Sequence, residues 1–234
     1  AAASWQPVSL AYDRSVVGRD KIRTKGGFDF SGRCLPAEML PAEIAYAGVR
    51  FRLAPAGRPN AVTARGQTIS LPAGSFNRLY ILAASAEGDQ KARFRIGQDS
   101  VELTIQDWSG YIGQWDNRLW NIRQEPEPPR PGEPSPPPGA APRMRTVMDY
   151  AGLRPGFIKP AAVAWFASHR HTAAGDNEPY AYCYLFAYSL DIPAGATTLT
   201  LPDNEKIRVL AVTAAKEGPP RLRPAQPLVD TPER

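Results

Sequence analysis

Ala92-Arg93-Phe94-Arg95-Ile96-Gly97-Gln98-Asp99-Ser100-Val101-Glu102-Leu103-Thr104-Ile105 is two short alternating runs joined by turn-forming residues. Successive side chains of a strand point to opposite faces. Phe94 and Ile96 therefore face a core, Arg93 and Arg95 face water, and Gly97-Gln98-Asp99-Ser100 reads as the turn of a β-hairpin. Outward from this stretch the pattern recurs. Residues 8–12, 49–53, 68–71 and 79–83 are short, mostly alternating and separated by Gly, Pro, Asn and Asp. No segment carries a long apolar stripe of 3.6-residue period, and residues 36–40 offer one helical turn at most. Many short strands at this spacing predict an all-β fold, an antiparallel β-sandwich of jelly-roll type.

A weak internal echo points the same way. Thr68-Ile69-Ser70-Leu71-Pro72 leads into Leu79-Tyr80-Ile81-Leu82-Ala83, and Thr198-Leu199-Thr200-Leu201-Pro202 leads into Ile207-Arg208-Val209-Leu210-Ala211. Each reads as strand, Leu-Pro turn and buried strand, as two similar corners of one sandwich would. The echo is too short for a repeat array. Between the halves, Glu125-Pro126-Glu127-Pro128-Pro129-Arg130-Pro131-Gly132-Glu133-Pro134-Ser135-Pro136-Pro137-Pro138-Gly139 favours exposed polyproline II over packing. Residues 146–216 offer three or four strands, too few to close a sandwich alone. One domain over residues 1–217 is therefore expected, with 123–145 an exposed Pro-rich loop and 218–234 a flexible Pro-rich tail.

The composition of the 234 residues, 43% hydrophobic and 22% charged, is that of a soluble globular chain with a sizeable core. The net charge of +5 is spread along the chain rather than gathered in a stripe, so no nucleic-acid partner is expected. No apolar run approaches the ~18 residues that would span a bilayer, so no membrane partner is expected either. Residues 1–4 lack the basic and apolar regions of a signal peptide. Cys34 and Cys183 form no C-x-x-C pair, which excludes a thiolate zinc site by count. They could form one disulfide in an exported protein or stand as two buried thiols.

The chemistry-bearing residues gather in one region. Trp165-Phe166-Ala167-Ser168-His169-Arg170-His171 and Tyr180-Ala181-Tyr182-Cys183-Tyr184-Leu185-Phe186-Ala187-Tyr188 flank a polar loop containing Gly175, Asp176 and Asn177. An aromatic strip beside His, Arg, Asp and Asn has the chemistry of a sugar site, with flat faces for stacking and polar groups for hydroxyls. The competing reading is packing, because aromatic residues prefer strands. His169 and His171 are the only histidines, and in a strand H-x-H points both rings one way, as a metal pair needs. Such a pair still lacks a carboxylate, for which Asp176 and Glu178 are the nearest in sequence. Trp115-Asp116-Asn117-Arg118 supplies a second stacking ring with a carboxylate, an amide and a guanidinium. Asp29 and Glu38, in and after a Gly-rich loop, form a candidate site for structural calcium, with turn chemistry as the alternative.

Further motifs occur in a fixed order. Gly26-Gly27-Phe28-Asp29-Phe30-Ser31-Gly32 precedes Leu35-Pro36-Ala37-Glu38-Met39-Leu40-Pro41. Gly48-Val49-Arg50-Phe51, Trp108-Ser109-Gly110-Tyr111-Ile112-Gly113-Gln114-Trp115-Asp116-Asn117-Arg118, the His-Arg-His block and Leu201-Pro202-Asp203-Asn204-Glu205 follow. This ordered set resembles the C-terminal, non-catalytic β-rich region of bacterial family 38 glycoside hydrolases, the α-mannosidase-like enzymes. The resemblance implies that the zinc-dependent catalytic domain, with its nucleophilic aspartate, lies outside these residues. It implies a carbohydrate-binding-module-like accessory domain beside a catalytic glycoside hydrolase domain.

The expectation is thus a non-catalytic, monomeric sandwich, extracellular or periplasmic, that binds glycan or polysaccharide weakly. Its expected ligand residues are Trp115, Asp116, Asn117, Arg118, His169, His171, Asp176, Asn177 and Tyr180. No complete catalytic set is evident. A docking domain without glycan affinity is the first alternative, and a glycan-active enzyme using His169, His171 and Asp116 is the second.

Overall fold

A computed structural model describes residues 4–114, 118–128, 130–132, 134, 137, 139–159 and 161–218. Its described elements are all strands, and none is long or apolar enough as a helix to cross a membrane. Two compact units emerge, Ala1–Gly110 with Ala161–Arg234, and Tyr111–Pro160.

The first unit is a β-sandwich. Its larger sheet has the order Ser4–Pro7, Asp203–Lys216, Arg78–Ser85, Asn177–Asp191, Val163–His171, and Val62–Arg65 also pairs with Asp203–Lys216. Its smaller sheet has the order Asp99–Ile105, Gln90–Ile96, Thr198–Thr200, Thr68–Ser70. All these pairings are antiparallel. The 92–105 hairpin forms as its alternation dictates, with Phe94 and Ile96 buried and Arg93 and Arg95 exposed. Its turn is the two residues Gly97-Gln98, since Ile96 already pairs with Asp99. Gly97 has φ +58°, the left-handed value a tight hairpin turn needs.

The two echoed segments pair with each other. Thr68–Ser70 runs beside Thr198–Thr200, and Arg78–Ser85 beside Asp203–Lys216. Leu79, Ile81 and Ala83 from one and Ile207, Val209, Val212 and Ala214 from the other meet Ala92, Phe94, Ile96, Ile105 and Leu199 of the smaller sheet in the main core.

The reverse face of the larger sheet is buried too, at Tyr80, Leu82, Ala84 and Thr213. The stretch around residues 43–52 packs on it. The hairpin of Glu43–Tyr46 with Val49–Arg52 lies there, the Tyr46 ring meeting Tyr80 edge-on at 6.5 Å and the Arg50 carbonyl accepting the Thr213 hydroxyl at 2.9 Å. Before it, Val17–Gly18 runs parallel to Leu35–Pro36. Cys34 then exchanges both backbone hydrogen bonds with His171, at 2.9 and 3.0 Å, so this segment extends the sheet beyond Val163–His171.

In the second unit, Arg118–Pro126 pairs with Met144–Leu153, and Gly113–Gln114 with Phe157–Ile158. Regular pairing thus reaches into the 123–145 stretch read above as loop. Alternation divides this ribbon. Trp120, Ile122, Met148, Tyr150 and Met144 share one exposed face, and Arg123, Asp149, Glu125 and Arg145 share the other as ion pairs.

Removing a ring from the main core should be costly. Phe94→Ala is expected to lose ~3–5 kcal/mol in denaturant unfolding. Val101→Ala, on the exposed partner strand, should lose less than about 1 kcal/mol. A Phe94→Ala midpoint equal to wild type would contradict this packing.

Candidate functional site

The strands Val163–His171 and Asn177–Asp191 form a hairpin whose turn spans residues 172–176. Thr172 closes it, its amide donating to the Asp176 carbonyl at 2.8 Å and its hydroxyl accepting the Asp176 amide at 3.1 Å. Gly175 is required here. Its φ is +99°, its carbonyl accepts the Lys21 amide, and a Cβ would stand 2.5 Å from the Ile22 nitrogen. The turn is thereby fixed against the N-terminal segment.

The pairing slips between Ala167 and His169, a bulge of the kind that re-aims side chains. Beyond it, His169 and His171 point together at the turn formed by residues 36–40, where the Met39 amide bonds the Pro36 carbonyl and the Leu40 amide bonds the Ala37 carbonyl. That single turn presents Glu38. His169 Nε2 lies 2.7 Å from Glu38 Oε1, and His171 Nε2 lies 3.0 Å from Oε1 and 3.1 Å from Oε2. One donor atom from each of the three side chains falls within 4.8 Å of the others. The Trp165 indole N–H donates to the Met39 carbonyl at 3.1 Å and secures the same turn. Partial burial alone would raise the Glu38 carboxyl. Its own backbone amide and the two imidazoles outweigh this and hold it below the ordinary carboxylate range. His171 Nδ1 is buried without a partner. Protonation of the neutral His171 ring at Nε2 leaves no buried N–H without an acceptor.

Arg170 alternates to the other side of the strand. Its Nε is 2.6 Å from Glu178 Oε2, and Arg33 Nε reaches the same oxygen at 3.0 Å. The Arg170 guanidinium also lies 5.5 Å from the centroid of Trp108, which stacks on Phe28 at 4.6 Å. Burial raises the Glu178 carboxyl, and the two guanidiniums more than reverse this. Asp29 accepts the Arg33 amide at 2.9 Å.

The expected site residues thus go to different places. His169 and His171 come together with Glu38, while Asp29 is held by Arg33. Glu178 is occupied by two arginines and does not complete the histidine pair. Asp176 and Asn177 are exposed at the turn, and Tyr180 is 87% exposed. In the second unit, the Arg118 guanidinium lies 5.5 Å from the Trp120 ring centroid. Trp115, Asp116 and Asn117 lie outside the described residues. Cys34 and Cys183 are free and buried. Burial pushes their thiols up to about 11 and about 12, so both stay protonated at neutral pH. Glu38 is the partner that sequence reasoning did not give the histidines. It lies 131 residues before His169, and only covariation of these positions among relatives would signal the contact.

The family model described as the AziU2-like beta-sandwich domain matches residues 4–218. The chain belongs to the AziU2-like β-sandwich domain family. The match establishes the sandwich and does not extend to the α-mannosidase accessory region that the ordered motifs resemble. No curated protein matches the chain.

In this AziU2-like domain both depressed carboxyls set a pH dependence. The stability they add is fully present above the unfolded glutamate value of about 4.3 and is lost as pH falls through the lower folded values. Glu178→Gln should therefore lower the melting temperature at pH 7, and its gap from wild type should close in acid, below about pH 4. A gap that persists undiminished at acid pH would show that Glu178 acts through packing rather than charge.

Proposed function

We propose that this AziU2-like domain is a non-catalytic carbohydrate-binding module that serves a glycan-active enzyme, with its binding surface on the hairpin of Val163–His171 and Asn177–Asp191. The supporting observation is a set of aromatic rings left open to water. Phe166 is 58% exposed, Tyr182 41% and Tyr180 87%. Phe166 pairs across the strands with Tyr184, so Phe166, Tyr182 and Tyr184 share one face by alternation. Farther along this face Tyr184 and Phe186 turn buried, so part of the strip packs and part stays open. Tyr180 holds φ +59°, which is costly for a residue with a Cβ. Backbone strain that ends in an exposed phenol ring favours a functional role over packing. Ser168, Asp176 and Asn177 are also exposed on this hairpin and supply hydroxyl, carboxylate and amide groups.

Ring stacking on an open strand surface gives weak binding, in the micromolar to millimolar range. Affinity electrophoresis through gels containing mannan or plant polysaccharides tests the reading. Wild type should be retarded, and Phe166→Ala with Tyr180→Ala should migrate freely while melting within about 2 °C of wild type. Retardation that survives the double substitution would move the site off this hairpin.

The apolar face of the ribbon formed by Arg118–Pro126 and Met144–Leu153 favours a second reading. A two-stranded ribbon cannot bury its own apolar face. Trp120, Ile122, Met148 and Tyr150 fit a docking role toward a protein partner, without glycan affinity. Absence of retardation on every glycan would favour that reading.

A further inference from the structure

We propose that Glu38, His169 and His171 form a binding site for a divalent transition metal of the zinc class. The proposal is independent of the glycan reading and stands even if the aromatic surface binds nothing. Two imidazoles and one carboxylate are the donors that borderline ions such as zinc prefer, whereas calcium and magnesium take oxygen ligands. Both Nε2 atoms converge on the same carboxylate, at 2.7 and 3.0 Å from one of its oxygens. The two rings cross at 82° with centroids 5.5 Å apart. The rings are therefore not stacked on each other, and both nitrogens face the one carboxylate.

The fit requires the carboxylate to draw back from the two rings. With metal–donor bonds of about 2.0–2.1 Å, tetrahedral donors stand about 3.3–3.4 Å apart. The two carboxylate–imidazole distances must open by roughly half an ångström, while the two imidazole nitrogens already lie within 4.8 Å of each other. His171 cannot supply that movement, because Cys34 holds its backbone by two hydrogen bonds. Glu38 can, since its side chain is 42% exposed and sits on a single turn. Side-chain exposure grades from 1% at His171 through 19% at His169 to Glu38. A metal held there is anchored on its buried side and open on the other. Among the described residues no fourth His, Cys, Asp or Glu joins the group. The remaining coordination position is free for water or a ligand, the arrangement of an open site rather than a closed structural one.

One feature limits the affinity. Metal on Nε2 places the proton of a neutral imidazole on Nδ1, and the Nδ1 of His171 has no acceptor. Ligating histidines ordinarily donate that proton to a partner. The missing acceptor weakens binding by roughly 10–100-fold relative to a site with a complete outer shell.

The test is a zinc titration of the chelator-stripped full chain against a chromophoric competitor. Wild type should bind one equivalent, and Glu38→Gln and His169→Ala should each weaken binding at least ~tenfold. Cobalt(II) should give the visible bands of a low-coordinate site in wild type and lose them in His169→Ala. His169 is partly exposed, so its replacement leaves a folded protein, checked by circular dichroism. Calcium should show no binding that depends on Glu38. Wild-type zinc binding no stronger than that of the two variants would overturn the proposal, as would binding unchanged by both substitutions or a Glu38-dependent calcium site.

Discussion

Burial of both faces of two central strands governs the rest of this molecule. Leu79 to Ser85 are buried at every position, and so are Ile207 to Ala215. Alternate residues of such strands cannot all reach one core. The smaller sheet takes Leu79, Ile81, Val209 and Val212, and the opposite face needs a second cover. Parts of the segment between residues 13 and 60 supply it. That cover is irregular, and it is held at defined points: Thr213 to Arg50, Tyr80 to Tyr46, and Cys34 to His171.

Covering the sheet determines where the chemistry falls. Once Cys34 pairs with His171, the next residues must cross Val163–His171, and the turn at 36–40 delivers Glu38 beside two imidazoles. The Gly-rich loop just before it delivers Arg33 to Glu178. The histidine hairpin is thus gripped by one segment, through the Glu38 carboxylate at Val163–His171 and the Arg33 guanidinium at Glu178 of the neighbouring strand. Each contact holds a carboxyl that partial burial alone would raise, and its partners keep it in its charged form. These contacts are partly exposed, so they position the segment more than they stabilise the fold.

The sandwich was legible in the sequence because period-two alternation is local. Phe94, Ile96 and their arginines reveal their faces without knowledge of any partner. The echo at 68–83 and 198–211 was legible for the same reason, although its meaning, two segments pairing with each other, depends on topology. The Tyr180–Tyr188 strip was only half legible. Alternation places Tyr182, Tyr184 and Phe186 on one face, but tertiary packing, which alternation does not encode, decides that Tyr184 and Phe186 are buried and Tyr182 is open. The histidine cluster was legible only as a pair. Sequence proximity favoured Asp176 and Glu178, yet an adjacent-strand residue such as Glu178 alternates to the wrong side, and Arg170 and Arg33 claim it. Its true partner arrives by a long-range crossing that no local rule encodes. The second unit's pairing within 118–126 and 144–153 was obscured by Pro126 and the proline run, which mark the ribbon's end rather than its middle.

The cover over the larger sheet brings one carboxylate against both histidines. With only two histidines in the chain, imidazole nitrogen–proton correlation spectra report on that junction without ambiguity. Spectra of metal-free wild type and Glu38→Gln should differ at both rings, because each Nε2–H loses a charged acceptor. If the replacement leaves the signals of both His169 and His171 unmoved, Glu38 does not stand between them, and the account of how this segment crosses the strand is wrong.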